Sequence, residues 1–402
     1  MLKLAMRNIA RQRARTAITL AGIALGVASL VLCGGFVADI LLQLRERTIH
    51  SQLGHLQIYK QGLHASGGHH PLDYLIEDVD AVGRELAALP GLAVYGQRLA
   101  FPGLISNGRA ELPILAEGVE PGPEAQIGSA FSILAGRPLT THDRFGVIVG
   151  EGLAKSMKLE PGDRVNLVTS TREGAANTLD FEIVGVARSL SKEYDARSVR
   201  LPLQAAQELT DVAGASAFVV LLARTEDTGR ARAMLASRLP PGLEVKTWHE
   251  LDDFYKNTAA LYERQFGFLQ GVILVMVLLG VANSMNMTLH ERTAEFGIMR
   301  ALGRTGREVF LLAIAEAALL GAIGALAGVI AGAALAWLIS AIGIPMAPPP
   351  NSESGFHARI QVVPVVLAAA FALGLLAAVC GSLVPARHVT RVPLSDALRR
   401  AV

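Results

Sequence analysis

This chain is poor in cysteine and lysine, and four long stretches of it carry no charge at all. Its two cysteines, Cys33 and Cys380, both lie in apolar stretches. The long polar part therefore has none, and disulfides cannot hold it together in any compartment. None of the seven lysines follows the Gly-x4-Gly pattern that wraps phosphates, and Gly152-Leu153-Ala154-Lys155-Ser156 lacks the flanking glycine. If ATP drives this protein, another chain hydrolyses it. No Ser-His-Asp or Cys-His arrangement stands out, so no catalytic residue is assigned. His64, His69 and His70 with Asp73 nearby fit no standard metal spacing, and Gly67-Gly68 marks their stretch as a solvated loop. No metal is expected.

What is present is apolar. Hydrophobic residues make up 51% and charged residues 18% of 402 positions, too apolar for an ordinary soluble chain. The uncharged runs are Ala17–Ala38, Phe266–Leu289, Ala317–Ile342 and Val362–Ala386. Even the shortest would span roughly 33 Å as a helix, against a hydrocarbon core of about 30 Å. The layout is one membrane helix, a large polar domain, then three clustered helices. That excludes both a channel of many spans and an enzyme on one anchor. The first run is longer than a signal-peptide core and ends in no small-x-small site, so it is expected to stay.

Charge orients the chain. Lys3, Arg7, Arg11, Arg13 and Arg15 precede the first run, and Arg292, Arg300, Arg304 and Arg307 lie between the second and third. Arg387, Arg391, Arg399 and Arg400 follow the fourth, whereas the connection between the third and fourth holds only Arg359. By the positive-inside rule both termini and the 290–308 connection are cytoplasmic and the large domain is exported. The basic clusters set topology and bind anionic lipid; no nucleic-acid role follows.

The expected fold is an α-helical membrane protein with four transmembrane helices and a large periplasmic α+β domain. Residues 1–16 form a basic segment, 17–44 the first transmembrane helix and 45–262 the exported domain. The second helix takes 263–289, the cytoplasmic connection 290–307 and the third helix 308–342. A Pro-rich loop at 343–361, the fourth helix at 362–386 and a tail at 387–402 complete the chain. Within the exported domain Leu53–Lys60 alternates like a strand, and Ile76, Val79, Val82, Leu86 and Leu89 recur at helical steps. Val94–Ala100 reads as a strand. Ala217–Ala223, Gly229–Leu239 and Leu243–Thr247 repeat the strand-helix-strand pattern. Two such units flanking a β-rich stretch at about 112–202 predict a split, ferredoxin-like lobe with an insertion. Leu251–Arg264 reads as a helix running into the second span, able to move the domain and the membrane part together.

Three further features point to packing or partners. Glu316 sits at membrane depth, where an acid is costly and usually faces protein; it is expected to snorkel or to hydrogen-bond a neighbouring helix. Gly22 and Gly26 in the first span, and Gly324, Gly328 and Gly332 in the third, have the four-residue spacing that lets helix backbones approach. The 290–303 connection mixes Glu291, Arg292, Glu295 and Arg300 with Phe296, Ile298, Met299 and Leu302. As a short helix it would expose both kinds of group, either on lipid headgroups or docked in a partner's groove.

That connection, Glu291-Arg292-Thr293-x-Glu295-Phe296-Gly297-Ile298-Met299-Arg300-Ala301-Leu302-Gly303, resembles the coupling segment of the permease family that includes MacB, FtsX and the lipoprotein-releasing (Lol) permeases of ABC transporters. Glu316 with the following glycines, Pro385-Ala386-Arg387 with Pro393 and Ala397-Leu398-Arg399, and Val149–Ala154 with Pro161-Gly162-Asp163 are similar to further motifs of that family. The resemblance covers nearly the whole chain. It implies a dimer of permease subunits, as a homodimer or with a paralogue, above a cytoplasmic ATPase dimer that binds ATP and magnesium. Glu291, Arg292, Glu295, Phe296, Met299 and Arg300 would contact the ATPase. The exported domain would have porter-like and sabre-like lobes, and the chain itself would hold no cofactor. MacB-type permeases carry their ATPase in the same chain; this one opens directly on Met1-Leu2-Lys3, so its ATPase is expected to be separate. The implied task, in a bacterial inner membrane, is mechanotransmission that moves or releases a lipoprotein or other amphiphile. An FtsX-like signalling role, regulating a periplasmic enzyme without transport, is the alternative.

Overall fold

The structure, a computed structural model, describes residues 13–66, 71–129, 131–189, 191–346 and 356–391. The first basic residues through Arg11, His69 and His70, residues 347–350 of the Pro-rich run, and the closing motif beyond Arg391 lie outside the described residues.

The chain runs along helix α1 (Arg13–Thr48), turns π-helically at Ile49–Leu53, and lays down β1 (Leu56–Lys60), α2 (Val79–Ala87) and β2 (Leu92–Ser106). There follow β3 (Glu111–Val119), α3 (Pro121–Ile127), β4 (Ser132–Gly136), β5 (Gly146–Gly150) and α4 (Glu151–Met157). Next come β6 (Arg164–Ser170), β7 (Ala176–Arg188), β8 (Ser198–Pro202), α5 (Leu203–Thr210), β9 (Ala217–Leu222), α6 (Thr228–Arg238) and β10 (Leu243–Thr247). The last third is helical: α7 (Asp253–Glu291), α8 (Thr293–Ala301), α9 (Gly306–Ile342) and α10 (Pro364–Arg391). Among the described residues two compact units result, one of 13–42, 258–346 and 357–391, the other of residues within 43–257.

In the second unit a single sheet runs β10-β1-β9-β2-β3-β8-β5-β7-β4, with β6 beside β2 and β7. Its first four strands are antiparallel. They carry α2 and α6 over a core that includes Leu56, Ile58, Val82, Leu86, Phe218, Val220 and Leu235. This is a split β-α-β lobe with the strand order of a ferredoxin-like fold. Asp78 caps α2 by accepting the Ala81 N–H at 3.0 Å. The first strand starts at Leu56 rather than Leu53 because the π-helical turn closes on Gly54, whose N–H reaches the Ile49 carbonyl at 2.9 Å. Gly54 has φ +61, and a Cβ there would lie 2.6 Å from Val219.

Strands β3 to β8 fall between the two halves of that lobe, packed on Leu99, Phe101, Ile105, Val149, Phe181 and Leu201. The strand read at Val94–Ala100 is longer than its local pattern, running Leu92–Ser106. Up to Arg98 it pairs with β9, and from Arg98 onward with β3. The core of the inserted lobe therefore begins inside β2, ahead of residue 112.

In the first unit α1, α7, α9 and α10 are each long and apolar enough to cross a membrane. Helix α1, with 36 residues, is about 54 Å long and outruns a ~30 Å hydrocarbon core. The helix read at Leu251–Arg264 begins two residues later: Asp252 breaks from helical geometry, and its carboxylate accepts the Tyr255 N–H at 2.9 Å. From Asp253 the helix is unbroken to Glu291. Gly324, Gly328 and Gly332 of α9 press on α1, where an added Cβ would meet Ile23 at 2.9 Å, the Ala24 carbonyl at 2.6 Å and Val31 at 2.9 Å. Gly26 abuts Val277 of α7. Gly22 departs from the expected packing, since a Cβ there meets nothing within 4 Å. The hydroxyls of Thr19 and Ser284 join α1 to α7.

One polar clamp was missed in the sequence. Asp39, buried on α1, accepts the Arg359 N–H at 2.8 Å and the Gln361 amide at 3.3 Å. Ser340 of α9 both receives the Ile360 N–H, at 2.9 Å, and donates to its carbonyl, at 3.1 Å. The segment ahead of α10 is thereby fastened to two helices.

Candidate functional site

The candidate site is the connection from α7 to α9. Helix α7 stops at Arg292, whose φ of −97 and ψ of 12 are not helical, and α8 starts at Thr293. The Thr293 hydroxyl donates back to the His290 carbonyl at 2.8 Å, closing the bend. Gly303 ends α8 at φ +93, a conformation that disfavours side chains. Thr305 and Glu308 then form a reciprocal capping box that starts α9.

Arg292 is the centre of the bend. It is buried, with Nη1 donating to Glu316 at 2.8 and 3.1 Å and Nε donating to Glu295 at 2.8 Å. Its guanidinium also lies 5.2 Å from the centre of the Phe296 ring. Glu316 is 4% exposed, so it does not snorkel. It accepts a charge-assisted pair across helices, which offsets the cost of an acid at that depth. Two motifs read separately in the sequence are one ion pair.

Phe296 is 2% exposed, packed with Leu289, Val309, Ala313 and Ala386, and half-buried Met299 joins that cluster. This corrects the expectation that α8 displays Phe296 and Met299. The helix folds back on the ends of α7, α9 and α10, and its own chain covers those side chains. Arg300 is half-buried and reaches the Thr390 carbonyl of α10 at 3.5 Å. The outward face is different. Leu302 is 81% and Ile298 48% exposed, the Glu295 side chain is 43% exposed, and Glu291 is exposed. Glu295, Ile298 and Leu302 stand at i, i+3 and i+7, one helical face, so the spacing alone held the signal. Chemically the site offers a mixed acidic and apolar ridge, held rigidly from behind by an ion pair and an apolar plug. That is equipment for docking.

Four apolar helices with a large α+β domain between the first and second define a multi-pass membrane protein with an extramembrane domain. Residues 16–238 match the family described as MacB-like periplasmic core domain, and residues 267–394, α8 included, match FtsX-like permease C-terminal. The chain belongs to this MacB- and FtsX-like family of ABC transporter permeases. It is similar to the lipoprotein-releasing system transmembrane protein LolC of Neisseria meningitidis serogroup B, 23% identical over 96% of this chain and 94% of that one. It is similar also to the macrolide export ATP-binding/permease protein MacB of Hyphomonas neptunium, 26% identical over 97% of this chain but 59% of that protein. Among solved structures, the periplasmic region of MacB from Actinobacillus actinomycetemcomitans superposes at a TM-score of 0.38 with 12% identity, over 54% of this chain and 98% of that one.

Proposed function

We propose that this chain is the non-catalytic permease subunit of a mechanotransmitting ABC transporter in a bacterial inner membrane. Both termini and α8 face the cytoplasm, and the α+β domain faces the periplasm. A separate ATPase, holding ATP and magnesium, docks on the ridge of Glu291, Glu295, Ile298 and Leu302. Arg292, Phe296, Met299 and Arg300 stand behind that ridge and fix its angle. Two permease copies sit above two ATPase copies. Closure of the ATPases pushes α8, and the long helices α7 and α1 pass the stroke to the periplasmic domain. The cargo is a lipoprotein or similar amphiphile, a choice favoured by likeness to LolC over nearly the full length of both chains. The observation that carries the reading is α8 itself, braced by the Arg292–Glu316 pair with an acidic and apolar face exposed to solvent.

The test uses the tagged full chain, purified from its own membranes. Wild type should bring with it an ATP-hydrolysing subunit. Ile298→Asp with Leu302→Asp should lose that hydrolysis at an unchanged melting temperature, because both side chains are exposed and lie outside the Arg292 brace. Full retention of the hydrolysing subunit by the double variant would refute the docking assignment. Substitution of Met299 is unsuitable here, since it would disturb the internal plug as well.

A further inference from the structure

The extramembrane domain holds a buried charged cluster that the reading above does not use. Glu124, on α3, accepts from one terminal nitrogen of each of two arginines: Arg98 Nη2 at 3.0 Å to each oxygen, and Arg200 Nη1 at 2.6 Å. Glu117, on β3, lies 3.2 Å from Arg200 and accepts the Tyr194 hydroxyl at 3.0 Å. Arg98 and Arg200 are 5% and 6% exposed. Arg200 additionally stacks over the Phe131 ring at 3.9 Å. Burial alone would raise the Glu117 carboxyl, but the two arginines outweigh it and hold it below its ordinary value.

The position of α3 gives the cluster its meaning. At one end Ile127 is buried with Ile49, Val219, Leu221 and Trp248, against half-buried Leu53 and Tyr255. That apolar knot joins the residues just after α1 to those just before and within the start of α7. Thr48 and Asp252 tie the same two stretches at 2.9 Å. Close by, Gly96 lets α3 sit on β2, with a Cβ there only 3.0 Å from Pro123, and the Gln97 N–H reaches Glu120 at 2.8 Å. At the other end Glu124 grips Arg200 on β8, a strand of the inserted lobe. Two arginines and two glutamates balance in charge, yet Arg200 Nε finds no acceptor among the described residues. An apolar contact would be at least as stable as such a cluster. Charge-assisted pairs with spare donors have an alternative use, because they can exchange partners without losing all of them.

We propose that α3 and the Arg98–Glu124–Arg200–Glu117 cluster form the joint through which a displacement at the ends of α1 and α7 is handed to the inserted lobe. Glu124 is its positioning residue. The joint rests on the mechanotransmission reading for its use, though not for its existence.

The experiment is hydrogen–deuterium exchange on the full chain in lipid nanodiscs with its ATPase. Glu124→Gln should speed exchange in residues 121–127 and 198–202 about tenfold, the change that ~1.4 kcal/mol of lost local stability produces, and leave 243–247 alone. Arg200→Lys, which keeps the charge without the fork, should speed it less. Unchanged exchange in Glu124→Gln, or an equal rise at 243–247, overturns the joint. In the wild type, nucleotide should alter exchange in 121–127 and 198–202 together, and in Glu124→Gln only in 121–127. If nucleotide alters nothing in the wild type, the transmission reading fails, while the first comparison still decides the joint.

Discussion

Replacing Arg292 by Met removes the guanidinium that links α8 to Glu316 and leaves the carboxylate buried beside apolar neighbours. Both side chains of the pair are less than a tenth exposed, 9% and 6%, so solvent cannot stand in for the missing partner. Breaking a buried pair from one side typically costs about 3–5 kcal/mol. Arg292→Met is therefore expected near 3–5 kcal/mol. Glu316→Gln should cost less, about 1–2 kcal/mol, because Arg292 keeps its contact with the half-exposed Glu295 carboxylate. The double variant Arg292→Met with Glu316→Gln removes both charges and should recover much of the loss. Unfolding in mixed micelles by SDS titration, followed by circular dichroism, gives all four corners of the cycle. A double variant that simply adds the two single losses would refute the claim that this pair, rather than each residue alone, braces α8.

Other perturbations test other parts of the molecule. His55 is 2% exposed, and its ring is pushed down to about 4, first by burial and then by His50 and Arg45, against Glu46 and Glu226. Its Nδ1 accepts the Leu222 N–H at 3.1 Å, so the neutral form belongs to the fold. Stability should be full above the unfolded value near 6.5 and fall by about 3 kcal/mol as pH drops toward 4. His55→Gln should flatten that slope in thermal melts at stepped pH; an unchanged slope would clear His55 of the role. Gly328→Val, with its Cβ 2.6 Å from the Ala24 carbonyl, should force α9 from α1 and lower the melting temperature, whereas Gly22→Val should be silent. Asp39→Ala strips the Arg359 N–H of its acceptor and should cost about 1–3 kcal/mol, with faster amide exchange at 359–361 as the readout.

Legibility in the sequence followed the range of each interaction. The four spans were plain because hydrocarbon imposes length and apolarity on every residue of a run, and the β-α-β pattern of the lobe was plain from periods of two and 3.6. The strand at Leu243–Thr247 was read to the residue because Pro240-Pro241-Gly242 fixes its start. The long β2 was not, since its second half is a strand only by pairing with β3 and β6, which lie up to 64 residues onward. At the site, the residues of α8 were recognised but not their directions. Phe296 and Met299 appeared to await a partner because nothing local tells that Val309, Ala313 and Ala386 fold over them. Arg292 and Glu316, 24 positions apart, could be paired only by the fold.

The most direct test of the whole account is sidedness. Cys33 and Cys380 are replaced by Ser, and single cysteines are placed at Leu302 on α8 and at Arg172, 43% exposed on the β6–β7 hairpin. A membrane-impermeant maleimide is then added to spheroplasts. The account predicts that position 172 is labelled at once and position 302 only after the inner membrane is opened. Equal labelling of both in sealed spheroplasts would contradict it, since a docking ridge outside the cytoplasm could meet no ATPase.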